Sequence, residues 1–258
     1  MTLSQTMILV DTFARLQLKG ESRQYWLGYF WWILEPMLYV GVFYLVFEKL
    51  LQTRQPDFLY FLMVGKLVFI WFSKSINQSA NALRANVGLI AQTNLRKEIL
   101  PMAIIHQGFY RQLVVFGFLL SFLMLSGFGV SAVWWWLIPL VVCQALLITA
   151  CGLFAALLVC FQQDFRLLIQ LGTLFLLFMS GVFWDLNAIA DDTLREGLIA
   201  LNPLATLIDA YRQVLLLGVV PDMTRLLRVL LEATVLLIAA VFAYQRLQFW
   251  IARQVISR

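Results

Sequence analysis

The sequence predicts an all-α integral membrane protein with six transmembrane helices. Hydrophobic residues make up 62% of its 258 residues and charged residues only 13%, whereas soluble domains are about 45 to 50% apolar and about 25% charged. About 20 apolar residues cross the hydrocarbon core of a bilayer, and we assign six stretches of roughly that length. A single transmembrane domain therefore accounts for residues 1–258.

Residues 1–24 are predicted to form an amphipathic helix at the membrane interface. On a helix, Asp11, Arg15 and Lys19 share one face, while Met7 and Val10 lie on another. An ordinary solvated helix before the first span is the alternative. The segment is too polar for a removable signal peptide, so we expect it to stay attached. The basic residues of the inner segments predict that both termini are cytoplasmic.

The first span begins in a run of aromatic residues from Tyr25 and then carries Glu35 directly before Pro36. A carboxylate inside an apolar run is costly and marks either function or a specific partner. Two interpretations follow: Glu35 lines a transport path, or it caps or pairs with a neighbouring helix. In the second span, we expect the amine of Lys66 to reach the outer surface along its own side chain.

Two polar segments divide the remaining spans. Residues 84–101 form the longest internal cytoplasmic loop, between the second and third spans. The fifth span is expected to run to about Trp184. Residues 185–222 contain two short apolar segments, each too short to cross a membrane, which predict a periplasmic re-entrant helical hairpin before the last span. The adjacent Asp191 and Asp192 are interpreted as a helix N-cap.

Several kinds of chemistry have no signal in the sequence. His106 is the one histidine, and all three cysteines lie within one apolar run, so neither a metal site nor a disulfide framework is expected. No G-x-x-x-x-G-K-[ST] segment occurs, so we expect any ATP to be bound by a partner. We expect no enzyme activity and no nucleic-acid partner. A secondary carrier or a membrane enzyme remains the alternative class.

Three segments carry a resemblance to a known family. The chain reads LGYFWWILEP at the start of the first span, ANVGLIAQTNLRKEILP in the inner loop and NPLATLIDAYR before the last span. In this order and spacing they resemble the membrane subunit of ABC polysaccharide exporters. The resemblance implies a permease that exports lipid-linked polysaccharide, such as O-antigen, capsule or teichoic acid, across the bacterial inner membrane. Type-2 exporters of drugs or heme share the fold and remain the nearest alternative.

The resemblance also implies an assembly. Two copies of the chain would enclose a channel within the membrane lipid, and separate nucleotide-binding ATPase subunits would hold ATP and Mg. The inner loop would couple the two kinds of subunit through Asn86, Gly88, Leu89, Thr93, Asn94 and Leu95. A basic loop attracted to anionic lipid is the alternative interpretation of this segment.

Substrate contacts are expected in two places. Near the N-terminus, Arg15, Lys19 and Arg23 would meet the pyrophosphate of the lipid-linked substrate. Along the channel, the candidates are Glu35, Tyr39, Phe43, Phe47 and Trp184. Because Tyr39, Phe43 and Phe47 repeat at every fourth residue, they share one helix face, a pattern that is more often typical of packing against a neighbour than of a sugar path.

Overall fold

The computed structural model describes residues 3–24, 26–50, 57–93 and 95–256, and all regular structure in these ranges is helical. Tyr25, residues 51–56 and Asn94 lie outside the described residues. Within these ranges, five segments are long and apolar enough to cross a membrane, namely Gly28–Phe47, Phe58–Ala80, Ile99–Leu125, Ala132–Phe161 and Met223–Val255. The all-α class and a multi-pass membrane protein are thereby confirmed.

Eleven α-helices follow one another along the described part of the chain. They are α1 (Leu3–Gln24), α2 (Trp31–Tyr44), α3 (Phe58–Ala80), α4 (Ala82–Ala85), α5 (Val87–Gln92), α6 (Ile99–Leu125), α7 (Leu137–Phe161), α8 (Phe165–Met179), α9 (Asp192–Leu201), α10 (Pro203–Arg212) and α11 (Met223–Ile256). Short 3₁₀ turns precede α2 and α7, and π-helical turns follow α2 and α10.

The centre of the bundle is α3, which packs against α2, α6, α7, α8 and α10. A helix surrounded on several sides can be apolar all round, and the apolar residues of α3 are buried along most of its length. Small residues allow its closest approach to α7. A Cβ atom on Gly152 would lie 2.7 Å from the Ser79 hydroxyl oxygen, so the missing side chain lets the two backbones come together.

The helix α8 ends earlier than the sequence predicts. It was expected to reach about Trp184, but it stops at Met179 after 15 residues, or about 22 Å, which is shorter than a bilayer core. Gly181 then turns the chain at a φ of +69°, a conformation that suits glycine. The freed carbonyl oxygens of Gly181 and Val182 accept hydrogen bonds from Arg212, at 2.7 and 2.9 Å.

Arg212 joins three parts of the bundle, and we call its contacts the Arg212 clamp. Besides the turn after α8, its Nε donates to the Phe61 carbonyl oxygen of α3 at 3.2 Å, and its guanidinium carbon lies 3.3 Å from the Phe61 ring centroid. Gly65 leaves room for it, since a Cβ there would lie 2.4 Å from Nη2. The clamp fixes α10 against α3 although the side chain is charged and buried.

The segment 185–222 contains the two short helices that the sequence predicts. The Asp191 carboxylate accepts hydrogen bonds from the backbone amides of Thr193 and Leu194 at the start of α9, which confirms the N-cap. The Asn202 side chain caps α10 in the same way, at 3.2 Å from the Ala205 amide. Since α10 is buried and α9 is mostly exposed, the first helix of this pair covers the second. Insertion of the pair into the bilayer stays a prediction.

Candidate functional site

Glu35 lies in α2 and forms an ion pair with Lys74 of α3 at 2.5 Å. The helix continues through Pro36 without ending. Both charged side chains are partly accessible, with 26% and 32% of their surface exposed. Of the two interpretations of Glu35, the structure shows the bond to a neighbouring helix. A contact between Glu35 and a transported substrate stays a prediction.

The aromatic stripe of α2 divides into packed and exposed rings. Phe43 and Phe47 contact Phe183 after α8, with ring centroids 4.7 and 5.3 Å apart. Tyr39, by contrast, is 48% exposed. Trp184, beside Phe183 in the chain, donates its indole N–H to the Phe178 carbonyl oxygen. Phe43 and Phe47 therefore pack against Phe183, whereas the Tyr39 ring is half exposed.

Lys66 does not reach the surface, and that expectation was wrong. Its side chain is only 6% exposed. The amine lies 4.8 Å from the Phe43 ring centroid, 5.4 Å from that of Tyr39 and 5.7 Å from that of Phe69. Aromatic faces attract a cation because their π-electron density is negative. Three rings therefore hold Lys66 inside the bundle, directly behind the stripe.

The basic residues of α1 have different surroundings. Arg15 forms an ion pair with Asp11 at 2.8 Å, and Asp11 accepts a hydrogen bond from Tyr110 of α6 at 2.5 Å. The Tyr110 hydroxyl, together with Arg15, lowers the pKa of the Asp11 carboxyl. Lys19 and Arg23 are exposed and form no ion pair within the described ranges. Two of the three predicted substrate cations thus remain available.

A second contact holds the other end of α1, and the sequence analysis missed it. Glu21 accepts a hydrogen bond from the Gln107 amide at 2.7 Å and another from Arg111 Nη1 at 3.1 Å, both on α6. Arg111 also donates to Gln78 of α3 at 3.2 Å. Two features of the sequence could have indicated this contact, namely the acid Glu21 on a basic helix and Arg111 inside an apolar helix. Together with the contact between Asp11 and Tyr110, this contact holds α1 against α6.

The predicted coupling residues lie on α5 and its flanks. Leu89 and Leu95 are half-buried and pack beside Ile90 against the inner end of α11. Asn86 and Thr93 donate side-chain hydrogen bonds to the carbonyl oxygens of Ala82 and Leu89, respectively. Gly88 is exposed with open space around it, and Asn94 is outside the described residues. The exposed face of α5 and of the residue that follows it is therefore formed by Val87, Gly88, Ala91, Gln92 and Thr93.

The ends of the inner loop are held by charged side chains. Arg84 donates to the carbonyl oxygens of Val159 and Cys160 at the end of α7, at 2.8 and 3.3 Å. Positive charge is favourable at the C-terminus of a helix. Arg96 pairs with the buried Glu98 at 2.5 Å, and burial lowers the pKa of the neighbouring Lys97. The loop is thus attached to the bundle at both ends.

Apolar spans, a surface helix with free cations and an exposed helix on an inner loop are typical of the membrane subunit of a transporter. In the described part of the chain, no group of His, Cys, Asp or Glu side chains could hold a metal ion. Residues 12–216 match the sequence profile of the family described as ABC-2 type transporter. The chain belongs to this family.

Curated relatives extend the similarity over nearly the whole chain. It is 28% identical over 250 residues to the O-antigen export system permease protein RfbA of Myxococcus xanthus, covering 93% of this chain and 94% of that protein. The RfbA protein of Klebsiella pneumoniae is 23% identical over 83% of this chain and 81% of its own length. The polysialic acid transport protein KpsM of Escherichia coli is 31% identical over 84 residues, or 32% of this chain and 33% of its own.

The first prediction concerns the pair of Glu35 and Lys74. Glu35→Leu leaves the Lys74 charge without its partner and is expected to lower the free energy of unfolding by about 1–2 kcal/mol. Glu35→Gln keeps a hydrogen-bond acceptor and should lower the free energy of unfolding by less. The double variant Glu35→Leu/Lys74→Leu should be more stable than Glu35→Leu alone, because no unpaired charge remains. Thermal aggregation of the detergent-solubilised variants measures this; strictly additive losses would contradict the pairing.

Proposed function

We propose that this chain is the channel-forming permease of an ATP-driven exporter of polysaccharide. The observation that carries the proposal is the similarity to O-antigen export permeases along 93% of the chain. A shared segment alone would support only the fold, whereas nearly end-to-end similarity includes the segments that would contact substrate and partner. Export of a drug or of heme is less favoured, because the relatives named above are sugar-polymer transporters.

The proposed assembly contains two copies of the chain and separate ATPase subunits that bind ATP and Mg. The exposed face of α5 is the proposed contact with the ATPase. The exposed apolar side chains of α8 are suited to pairing with a second copy or to contact with lipid, and they comprise Leu167, Leu168, Leu171, Leu174, Phe175 and Phe178. The proposed location is the bacterial inner membrane, with both termini in the cytoplasm.

In the proposed topology, α8 and the turn after it make the fifth of six crossings. The pair of α9 and α10 enters the outer leaflet as a re-entrant hairpin. Non-helical backbone is tolerated at that depth only when protein covers its polar groups, and the Arg212 clamp supplies such cover for Gly181 and Val182. This arrangement accounts for a helix of only 15 residues in the membrane.

The proposed substrate path begins at α1 and continues along α2. Lys19 and Arg23 would bind the pyrophosphate of a lipid-linked chain, because both cations are exposed and free of ion pairs within the described residues. Tyr39 would then present its ring to the sugars, since pyranose rings have apolar faces that pack on aromatic rings. Phe43 and Phe47 would support that path through their contact with Phe183.

Deletion of the gene in its source bacterium tests the function. Surface polysaccharide should disappear and the lipid-linked polymer should accumulate inside the cell. A plasmid copy should restore export only when the partner ATPase can hydrolyse ATP. The purified chain alone should show no ATP hydrolysis, because it carries no phosphate-binding loop. Normal surface polysaccharide in the deletion strain would refute polysaccharide export by this chain.

Gly88 provides a test of the ATPase contact. A Cβ atom on Gly88 meets no atom within 4 Å, so Gly88→Trp should leave the fold intact while blocking a partner that approaches α5. We expect ATPase recovery with the purified chain, and export, to fall at least tenfold. Gly197→Trp is the matched control, because Gly197 is also an exposed helical glycine with open space but lies on α9. Equal ATPase recovery by the two variants would exclude α5 as the contact.

Tyr39 and Phe43 separate a substrate role from packing. Tyr39→Ala should lower export per molecule, because the ring is half exposed. The protein level should change little, because the rings of Phe43 and Phe69 still surround the Lys66 amine. Phe43→Ala removes packing against Phe183 and should cost about 3 kcal/mol, seen as less protein. Tyr39→Phe, which keeps the ring, and Leu38→Ala, at another exposed position of α2, are the controls. Surface polysaccharide divided by membrane protein level is the measurement, and normal export by Tyr39→Ala would exclude a sugar contact there.

A further inference from the structure

A narrow polar pocket lies between α2, α3 and α6, where α1 crosses α6. Its lining includes Trp71, Lys74, Ser75, Arg111 and Gln112, and its volume is about 20 Å³. Gly108 keeps the pocket open, because a Cβ there would lie 2.7 Å from the Ser75 hydroxyl oxygen and 4.0 Å from Trp71 Nε1. A cavity of this size admits one small polar group.

Two hydrogen-bond donors in this lining have no acceptor. The indole nitrogen of Trp71 and the amide nitrogen of Gln112 are buried, and neither has a partner in the described part of the chain. Trp71 is 4% exposed and Gln112 is 5% exposed. A buried donor without an acceptor costs about 1–3 kcal/mol. Two such donors around one pocket therefore indicate an acceptor oxygen that comes from outside the chain.

The polar pocket continues into an apolar groove. The groove has a volume of about 190 Å³ and shares Pro36, Leu67 and Val115 with the pocket. Its further lining, including Met37, Leu59 and Phe122, leads toward the outer ends of α2, α3 and α6, and is almost wholly apolar. A groove of this shape and depth in a membrane suits a hydrocarbon chain, and the acceptor oxygen would lie at the inner end of that chain.

The charged side chains at the pocket mouth balance one another. Arg111 is paired with Glu21, and Lys74 is paired with Glu35. Lys19 and Arg23 lie two residues to either side of Glu21, and therefore on the opposite face of α1 from Arg111. The charges beside the pocket thus set no requirement for the sign of the lipid head group.

We propose that this pocket and groove bind a diacyl glycerophospholipid. One acyl chain fills the groove, and its ester carbonyl oxygen accepts hydrogen bonds from Trp71 and Gln112. A polyprenyl phosphate has no ester carbonyl oxygen, so it would leave both donors without this acceptor. The proposal does not depend on what the chain exports.

Lipid binding by the purified, delipidated full-length chain tests the proposal. Native mass spectrometry should show that wild type binds diacyl phosphatidylglycerol about three- to tenfold more tightly than its dialkyl ether analogue, which lacks the carbonyl oxygen. Gln112→Leu and Trp71→Phe should each bind the two lipids equally. Gln170→Leu, the same change at an exposed position of α8, should retain the wild-type preference.

Thermal stability provides an independent readout. Because the Gln112 amide nitrogen has no partner among the described residues, Gln112→Leu should not lower the stability of the lipid-free protein. The variant should, however, show a smaller rise in stability when diacyl lipid is added. Equal binding of diacyl and dialkyl lipid by wild type would mean that water fills the pocket and would overturn the proposal. Tighter binding of undecaprenyl phosphate, with the same dependence on Gln112, would overturn it as well. Neither result would alter the test of polysaccharide export.

Discussion

Satisfying the backbone carbonyl oxygens released after α8 is the constraint on which the end of the bundle around α10 depends. A helix that stops inside a packed bundle leaves buried polar groups, and each is costly unless it is bonded. Arg212 meets the requirement with one planar group that donates to Gly181, Val182 and Phe61. The same requirement explains why a glycine stands at position 65, because a Cβ atom there would lie 2.4 Å from Arg212 Nη2. The position of α10 is therefore a consequence of where α8 ends.

The contact between α1 and α6 depends on a different interaction, in which acids on a basic helix bind α6. Asp11 binds Tyr110, and Glu21 binds Gln107 and Arg111. Burial of apolar side chains alone would hold α1 weakly, since Val10 and Ala14 are buried while Met7 and Ile8 remain exposed. The two acids fix the position and the direction of α1 on α6. The exposed cations Lys19 and Arg23 are then presented on the opposite face of α1 from Glu21.

Hydropathy was sufficient to predict most of the architecture. Five of the predicted spans are helices long and apolar enough to cross a membrane, because the thickness of hydrocarbon imposes a length that shows directly in the sequence. The end of α8 was missed because it depends on Arg212, which lies 31 residues beyond Gly181. Local sequence carries no sign of such a partner.

The candidate site shows the same division between local and distant information. The spacing of Tyr39, Phe43 and Phe47 placed them on one face, but it did not show that two of them meet Phe183. Glu35 and Lys66 stood out as charges inside spans. Their partners, an amine on α3 for Glu35 and three aromatic rings for Lys66, follow only from helix packing. The types of these residues and their positions along the helices could be predicted, whereas the partners of their side chains could not.

The attachment of the inner loop has a consequence for how such a protein can diversify. Ile90 and Arg84 secure the loop to α11 and α7 through side chains that point into the bundle, while Val87, Gly88, Ala91 and Gln92 contribute little to that attachment. Substitutions on the outer face of α5 therefore leave folding nearly unaffected. If α5 forms the proposed contact with the ATPase, recognition of that partner can change at these positions independently of stability. Compatibility between the proposed subunits of related systems would then depend on a few exchangeable side chains on one short helix.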